Sequence, residues 1–154
     1  MKIRLARDED YVVIARLHRQ TIRQVNKKDY NKEQIRVWSG RTSTKRFRES
    51  AHMCKRWVAL DTEKVIGFAD HPLDKCVLWG LFVHKDYIGK SVGSKLIKKV
   101  EASLLKQGCK NIKIESTITA KEFYKKQGYK VRKKSFHQFE NQKVETYILS
   151  KKIK

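Results

Sequence analysis

Apolar positions change period several times along this chain, and each change predicts an element. Residues 2–6 alternate polar with apolar and read as a short strand. Asp8 or Asp10 can cap a helix carrying Ile14, Leu17, Thr21 and Val25 on one face. Asn31 followed by Gln34 has the form of a capping box, opening a second short helix with Ile35 and Trp38 that Ser39-Gly40 ends. Residues 41–55 are polar and basic, with a helical turn around Phe47. The period then falls to two. Trp57 to Leu60 and Val65 to Ala69 read as a hairpin with its turn at Asp61 to Lys64. His71-Pro72 with Leu73-Asp74 predicts the next turn, and Cys76 to His84 is the most apolar strand, hence central.

After a small-residue loop the helical period returns, with Val92, Leu96, Val100 and Leu104 on one face, and Gln107-Gly108 stops it. Ile112 to Glu115 is a strand. Thr119 to Gln127 is a short helix with Ala120, Phe123 and Tyr124 on one face, ended by Gly128. Two last strands, about 129–138 and 143–152, meet at Glu140-Asn141-Gln142. The order is strand, two helices, three strands, helix, strand, helix, two strands. That predicts one α/β (α+β mixed) domain spanning residues 1–154, with a mixed sheet. Strand four, helix and strand five form its one parallel crossover.

Length agrees with one core: 154 residues, 40% hydrophobic. No stretch reaches the roughly 20 apolar residues of a membrane span, and Met1-Lys2-Ile3-Arg4 leads into no apolar signal region, so the expectation is a soluble cytoplasmic protein. Cys54, Cys76 and Cys109 are widely spaced, so plain buried or half-buried thiols are expected rather than a disulfide framework or a zinc site. His52, His71 and His137 have no metal spacing, and no metal is expected. The net charge of +21 predicts attraction to polyanions and argues against polyamine or aminoglycoside substrates. The Lys and Arg residues spread along the whole chain without a nucleic-acid-binding motif, which fits a solvated basic surface.

The chemistry concentrates in Tyr87-Ile88-Gly89-Lys90-Ser91-Val92-Gly93-Ser94, which joins the apolar strand to a helix N-terminus. Unpaired N–H groups and the helix dipole favour an anion there, and Gly89 and Gly93 let the backbone approach it. Taken with the run Leu81 to Leu96, this loop resembles the Q/R-x-x-G-x-G/A motif of the GCN5-related N-acetyltransferase (GNAT) superfamily. Ala120 to Tyr129 is similar to that superfamily's A-x-x-F-Y-x-x-x-G-F/Y, and the segment from Asp29-Tyr30 to Trp38 resembles one bacterial subgroup of it. The resemblance covers essentially the whole chain.

It implies a twisted, mostly antiparallel sheet of about seven strands with helices on both faces. It also implies acetyl transfer from acetyl-CoA to an amine by direct attack. By that resemblance Leu81 and Val83 pair with the pantetheine arm, the loop amides from Gly89 through Lys90, Ser91, Val92 and Gly93 to Ser94 hold the pyrophosphate, and Thr117 touches the cofactor arm. Tyr124 holds the place of a tyrosine that protonates the departing thiolate. Two positions depart from the motif: Ile88 replaces Gln or Arg, and Ser91 replaces the first glycine, which suits Ser91 only at negative φ.

For a general base the candidates are Glu115 first, then Asp74, His71 and His84. Of Trp38, Trp57 and Trp79, two are expected in the core. Trp38 and Tyr30 are the substrate-side candidates, and Trp79-Gly80 is a candidate bulge that splays the central strands. The alternative function is a degenerate acetyltransferase-like binding module whose basic surface grips RNA, ribosome or another polyanion. The acceptor can be a small-molecule or protein amine, and a monomer or a homodimer fits equally.

Overall fold

The alternating segments become two four-stranded sheets. The computed structural model describes residues 1–154. β1 (Lys2–Leu5), β2 (Cys54–Asp61) and β3 (Lys64–Pro72) are joined by β5 (Gly80–Val83) in the order β1-β2-β3-β5, all antiparallel. The second sheet has the order β4-β6-β8-β7, built from β4 (Val77–Leu78), β6 (Asn111–Thr117), β7 (Lys130–Phe139) and β8 (Gln142–Lys152). Only β4 and β6 run parallel, joined through α4 (Val92–Lys106), as the crossover reading requires.

The β2–β3 hairpin is buried on both faces, which explains why β3 reads as an unbroken apolar run rather than an alternating one. Val58, Leu60 and Phe68 meet Tyr11, Ile14 and Leu17 of α1 (Tyr11–Gln24). Ala59, Ile66 and Ala69 meet Leu96, Ile97, Val100 and Leu104 of α4. α2 (Lys32–Gly40) opens with the expected reciprocal capping box between Asn31 and Gln34. α5 (Lys121–Lys126) carries the Phe123-Tyr124 pair.

Four expectations change. The strand expected over Cys76 to His84 divides at Trp79: β4 joins one sheet and β5 the other, giving eight strands in two sheets. His71 and Pro72 belong to β3, not to a turn. His71 is fully buried, its Nδ1 faces the Pro72 carbonyl and its Nε2 faces Ser103 Oγ at 2.9 Å. Pro72 sits at the strand end, where a missing N–H costs least. The basic stretch around Phe47 forms a whole helix, α3 (Thr44–Ser50), because the Ser43 side chain accepts from the Arg46 N–H and caps it.

The fourth correction concerns the cysteines. Cys76 and Cys109 are disulfide-bonded, while Cys54 is free and buried. Thirty-three residues separate the pair in sequence, but the parallel crossover sets the starts of β4 and β6 side by side, with the two Cα atoms 5.7 Å apart. No helix is long and apolar enough to cross a membrane.

Candidate active site

The division at Trp79 opens the molecule. Below it β4 is held by β6; above it β5 is held by β3 alone. One edge of β5 is therefore unpaired. His84 N–H donates to the Ile66 carbonyl, so by antiparallel alternation Phe82 and His84 turn their main-chain groups toward β3. Those of Leu81 and Val83 face the gap. Both residues line a cleft of about 460 Å³ between the sheets, together with Leu78, Gly93, Thr117 and Tyr124. The Trp79-Gly80 splay read from the sequence is thus present, with Trp79 exposed at its mouth.

The loop into α4 forms part of the cleft wall. Gly89 (φ +82°) and Ser91 (φ +67°) both take left-handed conformations. The first intrahelical bond runs from Lys95 N–H to the Ser91 carbonyl, so the N–H groups of Val92, Gly93 and Ser94 have no partner within the helix. Gly89, Ser91, Val92, Gly93 and Ser94 all line the cleft, as does Ile88. Gly93 also gives close packing: a Cβ there would lie 3.0 Å from the ring of Phe123, which packs α5 against the helix start. Lys90 differs from expectation. Its N–H already donates to the Tyr87 carbonyl, and its ammonium lies over the Tyr87 ring, 5.3 Å from the centroid, outside the cleft lining. Ser94 Oγ is engaged by Gln127 Nε2 at 3.0 Å.

Ser91 does not have the negative φ that would suit it. A left-handed L-residue costs about 1 kcal/mol, and its side chain makes no compensating cap. Ser91→Gly is accordingly expected to stabilise the protein by about 0.5–1 kcal/mol. Chemical denaturation reads this directly; an unchanged or lowered midpoint would mean that the Ser91 side chain contributes something the geometry does not reveal.

The same cleft lining carries polar groups. Tyr124 is buried, and burial followed by the charge of Asp70 pushes its phenol well above the usual range, with no hydrogen bond contributing. It remains a phenol at neutral pH. Thr117 Oγ1 accepts from the Ala120 N–H at 3.1 Å, which fixes the entry to α5. Glu115 also lines the cleft; its Oε2 accepts from Thr146 Oγ1 at 2.9 Å, and Oε1 lies 3.5 Å from His137 Nδ1.

A second cavity, about 410 Å³, opens on the other side of β5 and shares Trp79, Gly80 and Phe82 with the first. Its floor is a buried ion pair across the hairpin: Arg56 Nε donates to Asp70 Oδ2 at 2.7 Å. The rest of the Arg56 guanidinium donates to the Phe47 carbonyl and Ser50 Oγ. Burial pushes the Asp70 carboxyl up, and Arg56 pulls it back. His18 packs edge-on against Phe82 with centroids 4.4 Å apart, and its Nδ1 lies 2.6 Å from Thr42 Oγ1. Burial first, then Arg19, Arg46 and Arg56, push its imidazole down to about 4, so it is neutral at pH 7. Trp38 lines this cavity, stacked on Phe139.

Tyr30 lies elsewhere. Its hydroxyl donates to the Glu145 carbonyl at 2.6 Å and accepts from the Ile118 N–H at 2.9 Å, and it lines neither cavity. Tyr30 braces the loop after β6 against β8. The lesser base candidates are also outside both cavities: His71 is locked in the core, His84 Nδ1 accepts from the Asp86 N–H, and Asp74 sits on an exposed turn. Sequence reasoning missed Asp70, Arg56, His18, Arg41 and Arg46. The one available signal was an acid closing an apolar strand opposite an arginine that opens its hairpin partner.

Comparison with known proteins completes the picture. Residues 26–145 match the family model of the acetyltransferase (GNAT) domain. No curated protein matches the chain significantly in sequence. Among solved structures, a GCN5-related N-acetyltransferase from Rhodopseudomonas palustris superposes with TM-score 0.92 at 24% identity, covering 99% of this chain and 95% of that one. PaiA N-acetyltransferase from Thermoplasma acidophilum, solved in complex with coenzyme A, gives 0.78 at 20% identity, covering 99% of both chains. YncA from Salmonella typhimurium, solved with its cofactor acetyl-CoA, gives 0.69 at 13% identity, covering 100% of this chain and 94% of that one. With the split central strand, the free helix amides and the matched family model taken together, this chain belongs to the GNAT acetyltransferase family.

Proposed function

We propose that residues 1–154 act as one N-acetyltransferase domain that moves the acetyl group of acetyl-CoA to an amine by direct attack in a ternary complex. The observation that carries this reading is the unpaired edge of β5, which lines one cleft with the free amides of α4 and the phenol of Tyr124. The pantetheine arm would lie along Leu81 and Val83 as an added strand, with its pyrophosphate on Val92, Gly93 and Ser94. Thr117 would flank the arm. The family membership and the two neighbours solved with coenzyme A or acetyl-CoA support this placement.

The chemistry then follows from the groups in reach. The neutral amine nitrogen attacks the thioester carbonyl; an N–C bond forms, the C–S bond breaks, and the edge amides of β5 stabilise the oxyanion between the two events. Glu115 takes the proton that the amine loses, directly or through a water. The departing thiolate takes the proton of Tyr124, and the phenolate is reprotonated from solvent. A desolvated tyrosine is a weak acid, but the thiolate forms in the same desolvated cleft, where it is a stronger base than in water. The amine would enter from the second cavity, because Trp79, Gly80 and Phe82 border both spaces.

Acetyl-CoA at about 100 times its dissociation constant should stabilise the fold by about 2.7 kcal/mol. That is a rise of about 5–10 °C in melting temperature for a chain of this size. No rise at millimolar acetyl-CoA would sink the reading.

A further inference from the structure

We propose that the acceptor carries its own anionic group, a carboxylate or a phosphate, on an aromatic or branched apolar body, and that Arg41 and Arg46 bind that anion in the cavity beside β5. This rests on the acetyl-transfer reading above. The cavity lining has three guanidiniums, Arg41, Arg46 and Arg56, against one carboxylate, Asp70. Arg56 and Asp70 neutralise each other at the floor. That leaves Arg41 and Arg46, both exposed at the rim, with no carboxylate partner in the protein. The Arg41 guanidinium lies over the Phe139 ring at 5.7 Å, and its N–H groups make no hydrogen bond within the protein. A guanidinium so placed suits the two oxygens of a carboxylate or phosphate.

Beside these arginines, burial first and then the charges of Arg19, Arg46 and Arg56 hold the His18 imidazole neutral. Between the rim and Phe82 the wall is aromatic: Phe47, Phe68, Trp38 and Trp79. Such a wall stabilises a flat or branched body by apolar contact. A polycation would meet unpaired arginines at the rim and find no free carboxylate on the floor. The surplus charge of the chain has, at this cavity, a stated consequence for the acceptor.

The test separates anion recognition from turnover. Phenylacetate, phenyl phosphate, benzyl alcohol and benzylamine share one ring and differ in charge. Titrated into the acetyl-CoA-saturated protein at low salt, the two anions should bind at least tenfold tighter than the alcohol and the amine. Which of the two binds better distinguishes a carboxylate site from a phosphate site. Arg41→Glu and Arg46→Glu should each abolish that preference while the acetyl-CoA-induced rise in melting temperature stays as in the wild type. In turnover, phenylalanine should exceed phenylalaninamide in kcat/KM, and the two variants should raise KM rather than lower kcat. Equal binding of anionic and neutral rings, or a preference untouched in both variants, overturns the proposal while leaving acetyl transfer standing. An absent acetyl-CoA melting shift overturns both.

Discussion

Tyr124→Phe is expected to lower kcat for acetyl transfer by about 10²- to 10³-fold, with acetyl-CoA affinity changed by no more than about threefold. The substitution removes one oxygen from a side chain that is already buried and packed between Phe123 and Tyr129. The ring, its contacts and the cleft shape remain. What is lost is the only proton donor on α5 that lines the cleft beside the β5 edge. The phenol spends no hydrogen bond on the protein that would be orphaned by its removal, so stability should change little. Steady-state kinetics with a titration of acetyl-CoA separate the terms. A variant with wild-type kcat would take Tyr124 out of the acid role and leave thiolate protonation to water.

Arg56→Met carries the largest expected effect on stability. It removes the Arg56 charge and hydrogen bond from Asp70, leaving the residue 4% exposed with the Gly80 N–H as its remaining donor. Breaking one side of such a pair costs about 3–5 kcal/mol, which for this length is a fall of roughly 10 °C in melting temperature. The pH dependence has a defined sign. Burial already holds the Asp70 carboxyl above its ordinary value, and without Arg56 it rises further. A carboxyl whose folded value lies above its unfolded value contributes stability that is fully present below the unfolded value and is lost as pH rises through the folded one. The variant should therefore be hurt more at pH 8 than at pH 5. Adding Asp70→Leu should recover most of the loss, because the orphaned charge goes with it. A single variant as stable as the wild type, or one equally destabilised at both pH values, would mean that Asp70 finds another partner.

The parts of this molecule that were legible in the sequence are those fixed by local physics. α4 is announced by its apolar period and by Gly108 after it, and α2 by the Asn31–Gln34 box. Leu81, Val83, Gly93 and Tyr124, which fall within the two motifs, share one cleft lining, as does Thr117, which lies between the motifs. What was hidden depends on pairing between distant segments. The Cys76–Cys109 bond follows from a parallel crossover, which no spacing rule for cysteines encodes. The Arg56–Asp70 pair depends on the hairpin register, and that register shifts at a bulge between Ala59 and Leu60. The cavity beside β5 draws residues from α1, α2, α3, β2, β3, β5 and β7, so apart from Trp38 and Trp79-Gly80 its members are not marked by their neighbours in the chain. The positive φ of Ser91 was signalled only by the glycine that the motif has there, since a serine by itself gives no local sign of a left-handed turn.

The central claim is that acetyl-CoA lies in the gap left by the divided strand. Amide-resolved NMR of the ¹⁵N-labelled protein titrated with acetyl-CoA addresses it most directly. The account predicts saturable shifts concentrated at Leu81 and Val83 on the free edge of β5 and at Val92, Gly93 and Ser94 at the start of α4, with Phe82, bonded toward β3, moving less. Shifts that stay elsewhere on the surface, or none that saturate at millimolar ligand, would contradict it.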